Sequence, residues 1–99
     1  MHPTDNPTGL DESVLVTLRE RIVELLERTE GMELANASLR IADVEIDRST
    51  REQYSRALSD ELRPQFKERL YAVTVVEYTG RNGRHFADVK IEMKRGLLI

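Results

Sequence analysis

The chain has 99 residues, a net charge of −3 and no cysteine, and 33% of its residues are charged. A chain of this length forms one domain and buries roughly two thirds of its unfolded surface, enough for an ordinary apolar core. Without cysteine, the chain has no disulfide, thiolate metal site or cysteine nucleophile. No apolar stretch approaches the roughly 20 residues that span a bilayer, so we expect a cytoplasmic protein without membrane contact.

Two prolines and a glycine lie among polar residues at the amino end, which predicts a disordered lead-in over residues 1–9 and one domain over residues 10–99. The first helix is predicted over residues 11–30. Its apolar side chains recur at steps of three and four, as in Leu15, Leu18 and Ile22. Gly31 is predicted to end this helix.

The first strand is predicted between residues 38 and 47. Leu39 and Ile41 occupy odd positions, whereas Val44 and Ile46 occupy even positions, so the two pairs point to opposite faces of a regular strand. Either both faces of the strand are partly buried, or a bulge near Ala42 exchanges the faces. An additional strand over residues 32–34 is left open.

The second helix is predicted to begin at residues 49–52, where Ser-Thr-Arg-Glu matches the capping-box pattern. Its apolar stripe runs from Tyr54 to Phe66. Pro64 lies inside this pattern and lacks an amide proton, so we predict a kink or a break there and an irregular turn before Leu70.

A hairpin is predicted at the end of the chain, with strands over residues 70–78 and 85–94. Asn82-Gly83 is typical of a two-residue turn, which places Tyr78 opposite Ala87. A four-residue loop places Tyr78 opposite His85 instead. The two registers differ by two residues, so both predict the same faces.

The apolar side chains of the last strand lie on one face and predict its buried side: Ala87, Val89, Ile91 and Met93. With either register, the opposite, exposed face is half-apolar. It is predicted to carry Tyr71, Val73 and Val75 beside Lys90, Glu92 and Lys94.

The predicted fold is therefore a small α+β two-layer sandwich in the order α-β-α-β-β. A strand–helix–strand unit favours a right-handed parallel crossover, and the hairpin adds an antiparallel neighbour. We expect a three- or four-stranded mixed sheet with both helices on one face.

Few residues indicate chemistry. His85 has no neighbouring histidine or cysteine in the sequence, so a surface or cross-strand role is favoured over a metal site. Asp43, Glu45 and Asp47 alternate along a strand and could hold a hard cation, but alternating acids also solvate an exposed face. We predict no catalytic residue, no metal site, no cofactor and no enzymatic activity. An enzyme using tyrosine and carboxylates would need a pocket between subunits.

The charge is divided unequally, with a net of −7 over residues 1–47 and +4 over residues 48–99. Most of this is explained by solvated helix faces, but a basic surface for nucleic acid is one alternative. The basic hairpin tip leads into a strand rather than a helix, so it lacks the geometry of a phosphate-binding loop. The candidate residues for an anion or nucleic acid are Arg56, Arg63, Lys67, Arg81, Arg84, Lys94 and Arg95.

The leading hypothesis is an assembly or adaptor domain that acts through protein–protein contacts and forms oligomers, with a homodimer favoured. The half-apolar outer sheet face and the apolar end of the chain are the observations behind it. The candidate contact residues are Tyr71, Val73, Val75, Leu97, Leu98 and Ile99.

Phe66, Arg69 and Leu70 match an aromatic-x-x-Arg-aliphatic turn that leads into a terminal hairpin. In this the chain resembles the lysozyme-like baseplate-wedge family of contractile phage tails and secretion systems. The resemblance covers about a third of the chain, and the proline and glutamate that precede the arginine in that family are absent in this order. It implies, as an alternative, a structural component of a phage-tail-like baseplate.

Overall fold

The computed structural model describes residues 10–31, 36–80 and 82–94. Within these ranges it contains two α-helices and a three-stranded antiparallel sheet, a small α+β fold. The helices are α1 (Glu12–Arg28) and α2 (Arg51–Leu62), and the strands are β1 (Asn36–Glu45), β2 (Leu70–Thr79) and β3 (His85–Met93). The predicted α-β-α-β-β order is confirmed. The possible strand at residues 32–34 lies outside the described residues.

Helix α1 begins at Glu12, next to the predicted start at Asp11, whose Oδ1 accepts a hydrogen bond from the Ser13 amide at 2.9 Å. The hydroxyl of Ser13 donates to the same oxygen, and these two bonds lower the pKa of Asp11. The helix ends at Arg28, and Gly31 then adopts a φ of +87°, which favours glycine.

The predicted capping box at residues 49–52 is wrong. A short 3₁₀ turn (Arg48–Thr50) precedes α2, and no side chain caps the first turn of that helix. The prediction for Pro64 is confirmed, because α2 ends at Leu62 and irregular turns follow until Leu70.

The sheet has the order β1-β3-β2, and both outer strands pair antiparallel with β3. Strands β1 and β2 therefore run in the same direction, as the predicted crossover requires, but β3 lies between them. The predicted mixed sheet is wrong, because no two parallel strands pair within the described residues. Of the two alternatives for β1, the structure has the bulge near Ala42, since the register of β1 shifts between Ile41 and Glu45.

The register of the hairpin differs from both predictions by one residue. Tyr78 lies opposite Phe86, and Val75 lies opposite Val89. A loop over residues 80–84 joins the strands, and the Gly80 amide donates to the Arg84 carbonyl at 2.8 Å. Because side chains alternate between faces, this difference exchanges the two faces of β2.

The inner face of the sheet and both helices share one hydrophobic core. Helix α1 contributes Leu18, Ile22 and Leu26, and α2 contributes Tyr54, Leu58 and Leu62. The buried face predicted for β3 is confirmed, from Ala87 to Met93. The predicted exposure of Val73 and Val75 is wrong, since they are only 2% and 1% exposed and belong to this core.

Candidate functional site

The outer edge of β2 is closed by serine side chains from α2. The hydroxyl oxygen of Ser59 accepts a hydrogen bond from the Val73 amide at 2.9 Å, and the same hydroxyl donates to the Val73 carbonyl at 3.0 Å. One turn earlier, Ser55 Oγ accepts from the Val75 amide at 2.7 Å and donates to the Arg51 carbonyl at 2.8 Å. Helix α2 thus occupies the position that another strand would need.

Three arginine contacts continue this closure toward both ends of β2. Arg63 Nε donates to the Tyr71 carbonyl at 3.0 Å. At the other end Glu77, whose side chain is 11% exposed, forms ion pairs with Arg51 at 3.0 Å and Arg48 at 3.1 Å. Desolvation opposes ionisation of Glu77, but its own backbone amide and the two arginines together lower its pKa.

The same hydrogen-bond pattern determines which backbone groups of β1 face outward at its free side. Val73 and Val75 turn their backbone groups to α2, so the residues opposite them in β3 turn theirs to β1. In β1 the residues between those bonded to β3 must then turn outward. These residues are Asn36, Ser38 and Arg40.

No residue in the described part of the chain forms a hydrogen bond with these outward backbone groups. The side chains leave the edge accessible as well. The guanidinium of Arg40 lies 3.9 Å from the centre of the Tyr78 ring, so this long side chain extends across the sheet and away from the edge. On the inner face Ala37 and Leu39 are only half-buried. The edge is regular from Asn36 to Ile41.

The predicted contact residues do not form one surface. Val73 and Val75 lie in the core, while Tyr71 is 59% exposed beside the register irregularity at the start of β2. Leu97, Leu98 and Ile99 lie outside the described residues. A contact role for Tyr71 and for these three residues stays a prediction.

The predicted basic residues are divided between the two ends of the sheet. Near the hairpin, Arg84 Nε donates to Glu45 Oε2 at 3.0 Å, and this hydrogen bond and the charge of Glu45 raise the pKa of Arg84. Near the other end Lys94 Nζ donates to the Lys67 carbonyl. Ten residues of extended chain place these two groups about 30 Å apart.

The other basic candidates do not join them into one surface. Arg63 belongs to the end of the sheet near Lys94, where it bonds to β2, and Arg56 is exposed on α2. Arg81 and Arg95 lie outside the described residues. Another basic residue, Arg69, stabilises the carboxyl end of α1 by donating to the carbonyls of Leu26 and Thr29 at 2.6 and 3.2 Å.

Two of the three acidic residues considered for a cation, Asp43 and Glu45, are used in ion pairs. Asp43 lies 2.9 Å from Arg21, and Glu45 pairs with Arg84. Across residues 10–31, 36–80 and 82–94 there is no group of three or more histidine and acidic residues arranged to hold a metal. His85 has the cross-strand role that was favoured: it faces Thr79, with its Nδ1 3.3 Å from Oγ1.

An open cleft of about 500 Å³ lies between the end of α1 and the turn after α2. Its lining mixes acidic and basic side chains with Phe66 and Pro64, so its charge favours no single class of ligand.

Tyr54 joins the two helices. Its hydroxyl accepts a hydrogen bond from the Asp11 amide at 2.9 Å, and burial raises the pKa of Tyr54. This hydroxyl holds the start of α1 against α2.

Sequence reasoning missed the residues that distinguish the two edges. Ser55 and Ser59 are four residues apart and adjoin the apolar stripe of α2, so they share one side of the helix. Serine at the margin of a buried stripe is a signal for a bond to a neighbouring backbone, but it does not identify the strand.

The comparisons with known proteins add no relative. No protein family matches the chain, and neither a curated protein nor a solved structure is significantly similar to it. In the described part of the chain, no helix has the length and the hydrophobicity needed to cross a bilayer.

Proposed function

We propose that this chain is a protein–protein assembly or adaptor domain rather than an enzyme, and that it binds its partner by strand addition along β1. The observation that carries this proposal is the difference between the two edges of the sheet. Helix α2 covers the edge of β2, whereas the backbone groups of Asn36, Ser38 and Arg40 face outward without a partner in the described residues. Such an edge is a template for another strand.

Variants of Ser38 test this proposal without disturbing the sheet. Its amide faces away from β3, so Ser38→Pro removes a donor that the isolated chain does not use. Ser38→Ala keeps that donor and is the matched control. A partner captured by the tagged wild-type chain and by Ser38→Ala, but lost by Ser38→Pro, supports binding at this edge. Equal capture by both variants would exclude β1 as the binding site.

The exposed Tyr71 and the apolar end of the chain remain further parts of the proposal. Tyr71 offers an exposed aromatic ring in β2, the strand at the other edge of the sheet from β1. We also propose a cytoplasmic setting, which localisation of a fluorescent fusion would check.

A further inference from the structure

We propose that the partner of β1 is a second copy of this chain, paired antiparallel to it with Ser38 opposite Ser38. This inference rests on the proposed function, because it names the partner of the same edge. The two sheets would join into one continuous sheet with the closed β2 edges on its outside, so the assembly would stop at two copies.

Symmetry restricts the possible registers. A two-fold axis that keeps the buried faces of both sheets on one side must place one residue of β1 opposite its own copy. Centred on Arg40, the pairing sets two like charges opposite each other, which is unfavourable. Centred on Leu39, it brings Asn36 opposite Ala42, where the pairing of β1 becomes irregular. Centred on Ser38, it uses the regular edge and opposes no like charges.

The Ser38-centred register also matches the backbone groups. Asn36 of each copy lies opposite Arg40 of the other, and all of these residues turn their amides and carbonyls outward. Each facing pair exchanges two hydrogen bonds, so about six form across the edge. A register centred on Leu39 has only the two Ser38–Arg40 pairs and forms about four.

The side chains on both faces suit this pairing. On the inner face Ala37 lies opposite Leu39, and both are half-buried in the single chain, so pairing removes apolar surface from water. On the outer face Asn36 and Ser38 are neutral. Arg40 stacks on Tyr78 within its own chain and so keeps its charge off the edge.

Single cysteines test the register directly, because the chain has none of its own. Facing residues of a hydrogen-bonded pair have Cα atoms about 5.5 Å apart, within the range of a disulfide. We expect Ser38→Cys to form a linked dimer under mild oxidation. Asn36→Cys and Arg40→Cys should link to each other several times more than either links to itself. Thr74→Cys is the control and should stay unlinked, because Thr74 is exposed on the outer face of β2, two strands away from the β1 edge.

Light scattering coupled to size exclusion gives a readout that needs no cysteine. We expect the wild-type chain and Ser38→Ala to have the mass of a dimer at low and high salt. Ser38→Pro should raise the dimer dissociation constant roughly tenfold or more, since it removes hydrogen-bond donors at the centre of the interface. Circular dichroism of Ser38→Pro should show the wild-type fold.

Three results would overturn the inference. Self-linking of Asn36→Cys above the mixed yield would contradict the register. A monomeric wild-type chain whose Ser38→Cys variant links no better than Thr74→Cys would exclude self-pairing. A monomer with a protected Ser38 amide in hydrogen exchange would assign the edge to a segment of the same chain. Self-pairing can fail while the wild-type chain and Ser38→Ala capture a partner that Ser38→Pro loses. In that case the proposed function stands, and the partner is another protein.

Discussion

The outer edges of β2 and β1 are both rows of main chain at the margin of the sheet, yet within the residues that the structure describes only β2 has partners for its outward backbone groups. Ser59 and Ser55 bond to Val73 and Val75, whereas the outward groups of Ser38 and its neighbours have no partner in the described residues. The closure depends on a helix that runs along the strand and presents a hydroxyl every turn. Helix α1 contacts β1 by an ion pair at Asp43, beside the bulge, and leaves the regular edge open.

The largest expected effect comes from opening the closed edge at Ser59, which is 6% exposed. Ser59→Ala leaves the amide and the carbonyl of Val73 without partners, at about 1–3 kcal/mol for each buried group. The better helix propensity of alanine returns roughly 0.5 kcal/mol. We expect a loss of about 1.5–5.5 kcal/mol in the free energy of unfolding, measured with urea. Ser38→Ala on the open edge is the control and should change stability by less than about 0.5 kcal/mol.

Ser55→Ala is expected to lower the free energy of unfolding less, by about 1–2 kcal/mol, because Ser55 is half-buried and only the Val75 amide loses a close partner. Urea unfolding measures this.

The double variant of Ser55→Ala and Ser59→Ala should also expose a second edge for strand pairing. We expect its mass by light scattering to rise above that of the wild-type chain as concentration increases. A double variant that keeps the wild-type mass would show that the serines stabilise the fold without protecting the edge.

The ion pairs at Glu77 predict a pH dependence. Because the folded-state pKa of Glu77 lies below its ordinary value of 4.5, its ionised form stabilises the fold above that pH, and this contribution is lost as pH falls through the folded-state pKa. We expect Glu77→Gln to be less stable than wild type at pH 7 and to converge with it in acid. Urea unfolding across pH measures this. Glu92→Gln, exposed on the outer face, controls for the change in net charge.

The smallest effect is expected at Arg40. Loss of its stacking on the Tyr78 ring in Arg40→Ala should cost about 0.5–1 kcal/mol, as for an exposed cation–π contact. Lys90→Ala on the same face is the control. If Arg40→Ala and Lys90→Ala unfold at the same urea concentration, the stacking contributes nothing and does not hold Arg40 away from the edge.

Much of the fold could be predicted from local patterns. Helical spacing located α1 and α2, the proline at position 64 marked the end of α2, and strict alternation identified the buried face of β3. These features depend on residues that are near one another in the chain. The bulge in β1 could be anticipated for the same reason, since its apolar residues change from odd to even positions within a few residues.

The faces of β2 could not be predicted, because that strand carries apolar side chains on both parities: Val73 and Val75 on one, Val76 and Tyr78 on the other. The hairpin decided between them through a register one residue away from both of those considered, and a one-residue change in register exchanges every side chain between core and solvent.

The sequence by itself therefore determined the positions of the helices and strands, the domain class and the core face of β3. Only the tertiary structure decided the β1-β3-β2 order, the core face of β2 and which edge lacks partners among the described residues. The bonds that close the β2 edge join serines to strand residues 14 and 20 positions away. Such pairings depend on how α2 packs against the sheet, and no local pattern specifies that packing.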